Sequence, residues 1–144
     1  MSESDAIMLT IVVGYGIWAL YLLTLFRAFS QVHPSRRTLA SGLVWLNLIP
    51  VLNIFWHFVT VVTLSGSIKR EFSANNVDVG SSPGLISGLV FSIVFLLAGI
   101  SGVSPIAILT GLLALIFWIV YWVSIAGWRR QLVTVHDVVR ARGG

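Results

Sequence analysis

The 144 residues contain no cysteine, which excludes disulfides, thiolate metal sites and lipid anchors on sulfur. Charge is nearly as scarce. Only 10% of the residues are Asp, Glu, Lys or Arg, against about 25% in a typical soluble domain, too few to cover a globular surface. Carboxylates are fewest: Glu3, Asp5, Glu71, Asp78 and Asp137. None lies inside an apolar run, so no pair is spaced for shared acid and base work, and no intramembrane acid exists for proton or cation coupling. The histidines His33, His57 and His136 stand in three separate regions with no carboxylate or thiol at metal-ligand spacing. Nucleophile-elbow, phosphate-loop and dinucleotide fingerprints are missing as well. These absences argue against an enzyme and against a bound cofactor or metal.

What is present is apolar: 57% of the residues are hydrophobic. The charged residues leave three uncharged gaps, Ala6–Phe26, Thr38–Ile68 and Val79–Trp128. A spanning helix needs roughly 20 apolar residues, so the gaps hold one, one and two candidates. The expected fold is an all-α polytopic integral membrane bundle, one domain over residues 1–144. Its four hydrophobic segments run over about 6–28, 39–72, 84–102 and 105–128, with a basic tail at 129–144. The acidic start "MSESD" lacks the positive n-region of a secretory signal, and the 21-residue run after it exceeds a usual signal core, so it reads as a retained first membrane helix.

Each segment carries a face. Thr10, Gly14, Tyr21, Thr24 and Ala28 align on segment one; Gly84, Gly88, Ser92, Gly99 and Gly102 align on segment three. Such small-residue stripes let helix backbones approach where no hydrophobic drive operates between helices, and they are candidate packing surfaces. The polar connection "NNVDVGSSPG" before segment three is turn-rich and is expected to be mobile. Segment four opens on "SP", an N-cap followed by proline at the first helical position. It ends among Trp118, Tyr121, Trp122 and Trp128, an interfacial aromatic belt ahead of Arg129 and Arg130. The tail, with Leu132, Val135 and Val139 near helical spacing, is expected to form a short amphipathic helix on the membrane surface. Arg129, Arg130, Arg140 and Arg142 are its candidate contacts to lipid headgroups.

Segment two, "WLNLIPVLNIFWHFVTVV" at its centre, is interrupted by Pro50, which removes a backbone hydrogen bond and clashes with the Leu46 carbonyl. Two arrangements stay open. A kinked span places both termini inside, with six positive residues inside and three outside. A re-entrant hairpin turning near Pro50–Asn53 places the N-terminus outside and all nine Lys and Arg inside, the cleaner count under the positive-inside rule. Asn47 and Asn53 could satisfy the interrupted backbone locally.

After Pro50, residues Asn53, His57, Thr60, Ser67 and Glu71 fall within about an 80-degree arc at 100 degrees per residue. This polar face either lines a cavity, with His57 as the deep ionisable group, or is hydrogen-bonded within the bundle or against headgroups. Arg and Lys cluster at helix ends and in the tail, the distribution of cytoplasmic flanks beside anionic lipid, and nucleic acid is not an expected partner.

At "GLVWLNLIPVLNIFWHFVTVVTLSGSIKREF", Gly42–Phe72, and "FWIVYWVSIAGWRRQL" later, the chain resembles small uncharacterised bacterial multi-pass membrane proteins that share an I-P-x-x-N element followed by an amphipathic, Ser-containing helix. The resemblance implies a bacterial inner membrane and brings no activity or site residues. The reading is thus a non-enzymatic inner-membrane protein with a cytoplasmic basic tail, acting by helix packing with itself as a homo-oligomer or with a membrane partner. The alternative is a pore, transport or holin-like component lined by the Asn53/His57/Thr60 face.

Overall fold

The computed structural model describes residues 2–100 and 105–143. Gly102 and most of the connection between the third and fourth segments lie outside the described residues. The fold is all-helical, with no strand among the described residues. Its α-helices are α1 (Glu3–Gln31), α2 (Pro50–Ala74), α3 (Leu85–Ile100) and α4 (Pro105–Gly143), and a 3-10 helix at Ser41–Leu48 precedes α2. Three of them, α1, α2 and α4, are long and apolar enough to cross a membrane; α3, at 16 residues, is a shorter apolar helix. The chain is a membrane protein of multi-pass character.

Helix α1 starts earlier than its apolar run because Ser2 and Asp5 form a capping box. Asp5 N donates to Ser2 Oγ at 3.2 Å and Ser2 N donates to Asp5 Oδ2 at 2.8 Å, satisfying two of the backbone donors that every helix start leaves free. It ends at Gln31, where the chain turns extended ahead of Pro34, as the residue before proline must.

The stretch expected to be the first helical half of segment two is a 3-10 helix. Ile49, placed before Pro50, sits at φ −83° and ψ 112°, outside the helical region that proline denies it. Leu46 O, which proline cannot serve, accepts from Ile49 N at 3.1 Å instead. Pro50 itself is the first residue of α2, where its missing N–H costs nothing. At the far end, Val77 N donates to Phe72 O and Asn76 N to Ser73 O, with Asn76 at φ 57°. These are the bonds of a Schellman cap, and they tuck Val77 against the core. Val79 packs there too, so the polar connection expected to be mobile is pinned by two of its own residues.

Direction follows from the contacts. Tyr21 meets His57, His33 meets Glu71, Trp18 stacks near Trp118 and Thr24 binds Trp122, so α1, α2 and α4 run parallel. The 3-10 helix runs against both α1 and α2: Asn47 lies by Trp18 and Thr60, while Thr38, below it, lies by Ser67. Residues 38–72 are therefore a hairpin that leaves the C-terminal end of α1 and returns to it. Helix α3 runs the opposite way, with Gly88 against Val61 and Tyr121 and Phe91 against His57. The buried core gathers at the end where α1, α2 and α4 finish: Leu22, Leu25 and Phe29 of α1, Leu64, Ile68 and Phe72 of α2, Ile125 and Leu132 of α4. The other half is open, and Ile7 to Val13 of α1 and Ile106 to Leu113 of α4 are largely exposed.

The tail departs from expectation. Residues 129–143 do not form a separate surface helix; they continue α4, which is 39 residues long, or about 58 Å at 1.5 Å per residue. Leu132 is fully buried and Val135 packs on the core, and this docking offers the apolar side of the tail a better partner than the bilayer surface.

Candidate functional site

The polar face of α2 points into the protein's own interior. His57, Thr60, Ser67 and Glu71 are all buried; Asn53 is half-buried and stands apart at the start of the helix. Most of these side chains meet partners supplied by the hairpin's other arm or by α1, because a polar group buried without a partner costs several times what a hydrogen bond returns.

At the base of the hairpin, the Glu71 carboxylate collects three donors, two from the connection after α1 and one from α4. Oε2 accepts from His33 N at 2.9 Å, and Oε1 accepts from Arg36 Nη1 at 2.9 Å and from His136 Nε2 at 3.0 Å. Burying a carboxylate is tolerated only when it is paired and hydrogen-bonded, as here with Arg36 and two further donors. Its neighbour Arg70 turns outward along the same strut, Nε to Arg36 O at 3.1 Å and Nη2 to Thr38 Oγ1 at 2.8 Å. One turn up, Ser67 Oγ donates to Thr63 O at 2.6 Å and accepts from Thr38 N at 3.3 Å. Higher still, Thr60 Oγ1 donates to Trp56 O at 2.9 Å and accepts from Asn47 Nδ2 at 3.0 Å.

His57 lies deepest. Its Nε2 shares a 3.3 Å hydrogen bond with the Tyr21 hydroxyl, and its Nδ1 is buried with no partner. Four rings enclose it: Phe91 edge-on at 5.0 Å, Tyr21 at 6.0 Å, and Trp18 and Tyr121 at 6.2 Å. Among the described residues no group of three His, Cys, Asp or Glu could hold a metal ion.

The last member of the face, Asn53, opens instead onto a cleft of about 400 Å³ between α1, the hairpin turn and α3, walled by Thr10, Gly14, Trp18, Asn47, Pro50 and Phe95 among others. Buried at this cleft, Asn47 Oδ1 and Asn53 Oδ1 have no hydrogen-bond partner. A second groove of about 290 Å³ shares Trp18 and Phe95 and continues between α3 and α4. The two run side by side through the half of the molecule that the core does not fill.

The small-residue stripe on segment three is largely consumed inside the chain. A Cβ on Gly88 would stand 2.6 Å from Val61 Cγ1 and 2.8 Å from Tyr121 Cε2, so only glycine lets α3 seat between α2 and α4. Gly84 precedes the helix at φ +68°, with Ile125 2.8 Å from where a Cβ would be, and Ser92 is buried, donating to Gly88 O at 2.8 Å. Gly99 is the exception: it is exposed, with nothing within 4 Å of a Cβ. On α1 the stripe divides in the same way. Tyr21 and Ala28 are fully buried and Thr24 accepts from Trp122 Nε1 at 3.0 Å, while Thr10 and Gly14 face open space or the cleft. Of the four tail arginines, Arg130, Arg140 and Arg142 are exposed and Arg129 is half-exposed, and no salt bridge engages any of them among the described residues.

Sequence reasoning missed the partners rather than the face. Nothing local couples Glu71 to His136, which lies 65 positions away, or His57 to Tyr21, and only the fold brings them together. Asn47 was legible as an amide near a proline break, but its role in holding Thr60 depends on the hairpin. Compared with known protein families, with characterised proteins and with solved structures, the chain matches none.

Proposed function

We propose that this is a non-enzymatic, multi-pass membrane protein that acts by contact with a second membrane-embedded chain, its own copy or a partner, through the half of the bundle its own core leaves open. The observation that supports this is the uneven packing. The C-terminal part of α1 is sealed by α2 and α4, whereas Ile7 to Val13 are exposed, and Gly16 and Gly99 have nothing within 4 Å of a Cβ. Small residues facing lipid are where a further helix can approach closely. The inward turn of Thr60, Ser67 and Glu71 favours this reading over a pore lined by the same residues.

The orientation belongs to the same proposal. The hairpin at residues 38–72 is re-entrant, α3 is the short fourth apolar segment, and Lys69, Arg70, the arginines of the first connection and those of the tail lie at one end with the cytoplasm. Segments α1, α3 and α4 then cross, and the N-terminus lies outside. A bacterial inner membrane fits this charge distribution. Because the chain has no native cysteine, single cysteines test both parts cleanly. In intact cells, Asn75→Cys is expected to resist an impermeant maleimide that labels Ser2→Cys; the reverse pattern overturns the orientation. Gly16→Cys and Gly99→Cys are expected to form disulfide-linked adducts in membranes, and monomer at both positions under oxidation overturns the contact surface.

A further inference from the structure

Going beyond the contact reading and independent of it, we propose that the basic end of α2 carries a site for one anionic phospholipid, its phosphate on Arg70 and an acyl chain on the lane that Gly66 opens beside it. Arg70 is not a loose surface cation. Its Nε donates to Arg36 O at 3.1 Å and its Nη2 to Thr38 Oγ1 at 2.8 Å, so two of the five guanidinium N–H groups hold its plane against the hairpin's other arm. Both acceptors are neutral, and no ion pair reaches Arg70 among the described residues. The remaining N–H groups and the whole charge stay available on an exposed side chain. A guanidinium already fixed in orientation loses less freedom on binding, and its planar fork matches two phosphate oxygens at once.

The surrounding charge asks for an anion. Arg37, between those two acceptor residues, is fixed in the same manner, with Nε on Val32 O at 2.7 Å and Nη2 on Ser30 O at 3.1 Å. Across residues 36–38 and 69–71, Arg36, Arg37, Lys69 and Arg70 stand against Glu71 alone, and that carboxylate is buried and already holds three donors. The surface beside Arg70 accounts for a lipid rather than a free ion. One turn back, a Cβ on Gly66 would meet nothing nearer than Arg70 Nη2, at 4.0 Å. Further along the same face at helical spacing, Val62, Val59 and Phe55 are 51%, 39% and 71% exposed. From Gly66 to Phe55 the helix rises about 16 Å at 1.5 Å per residue, close to the hydrocarbon depth of one leaflet, about 15 Å. A phosphate on Arg70 thus has an apolar track of matching length for its chain, with bare glycine backbone where the glycerol must pass.

In the test, the full chain sits in phosphatidylcholine nanodiscs doped with phosphatidylglycerol that bears a diazirine beside its phosphate. Adducts are expected on peptides containing Arg36–Thr38 and Gly66–Arg70 despite the excess of zwitterionic lipid, and unlabelled phosphatidylglycerol should remove them. Gly66→Leu keeps every charge and suits a helix; it should cut these adducts about tenfold with the helical circular dichroism unchanged, the discrimination of one charge-assisted hydrogen bond. Arg70→Lys, which keeps the charge and loses the fork, should also cut them about tenfold. Arg140→Gln combined with Arg142→Gln removes more charge from the exposed tail, yet should leave labelling within about twofold, as screened surface charges do. Adducts concentrated on residues 137–143, parent-like labelling of both Gly66→Leu and Arg70→Lys, or an equal loss from the tail pair would overturn the proposal. Displacement by excess inorganic phosphate would do so too, since it would assign the arginine to a soluble anion.

Discussion

Replacing Glu71 should loosen the base of the hairpin and the α4 extension together, because one carboxylate joins both to the end of α1. Glu71 is 3% exposed, while the Arg36 and His136 side chains that bind it are 38% and 29% exposed. Removing one partner of a fully buried ion pair costs about 3–5 kcal/mol, but here the Arg36 and His136 side chains can both recover water, which brings that part to about 2 kcal/mol. The His33 N–H left without its acceptor adds about 1 kcal/mol, so Glu71→Ala should cost about 3 kcal/mol. Glu71→Gln keeps an acceptor oxygen and should cost about half of that. His136→Ala, which removes one exposed-side donor, should cost about 1 kcal/mol. The assay is reversible unfolding in mixed micelles, followed by tryptophan fluorescence. A double-mutant cycle between Glu71 and His136 should return a coupling of about 1 kcal/mol. The reasoning is refuted if Glu71→Ala unfolds within 0.5 kcal/mol of the parent, about the scatter of a surface substitution, or if the two effects simply add.

Other outcomes follow from the same contacts. Gly88→Ala should destabilise by about 1–3 kcal/mol through overpacking against Val61 and Tyr121, while Gly99→Ala, with open space, should be neutral or stabilising by up to about 1 kcal/mol; equal effects in the same unfolding assay would contradict the assigned seat of α3. His57→Leu should cost about 1–2 kcal/mol by leaving the Tyr21 hydroxyl unpaired, and adding Tyr21→Phe should recover most of it, measured by the same titration. Leu132→Ala should cost about 2–3 kcal/mol and raise proteolysis within residues 129–143; a tail helix lying free on the membrane surface would show neither change.

How much could be read in advance varied with the range of the interaction. The all-helical, membrane-spanning character follows from composition, and three helices are long and apolar enough to cross; the polar arc follows from a period within one helix, of which His57, Thr60, Ser67 and Glu71 are buried and Asn53 is not. Pro50 acts locally, through the backbone of Ile49 and the Leu46 carbonyl, and the 3-10 form of Ser41–Leu48 ahead of it does not follow from that local effect. Its Asn47 side chain reaches back to Val44 O, a bond that a helical wheel does not register. The glycine stripe was recognisable as a packing surface but not as an internal one, since only the position of Tyr121 and Val61 decides which neighbour fills it. The tail misled because Leu132 and Val135 have the same spacing whether they meet lipid or protein. The cleft left no trace in the sequence: it is bounded by residues from three elements, and what distinguishes it is that two amide oxygens lack donors.

The bond from His136 to Glu71 also sets an order of events. A ribosome makes the hairpin long before it makes the residue that completes the hairpin's buried carboxylate, so the second segment emerges with its most costly group only partly provided for. Until α4 has been synthesised and laid alongside, residues 38–72 have every reason to stay at the interface rather than settle among the lipids. Chains halted before residue 136 should accordingly be the ones that quality-control proteases recognise, and closure of the hairpin's base would be timed by the turn of α4 that carries His136.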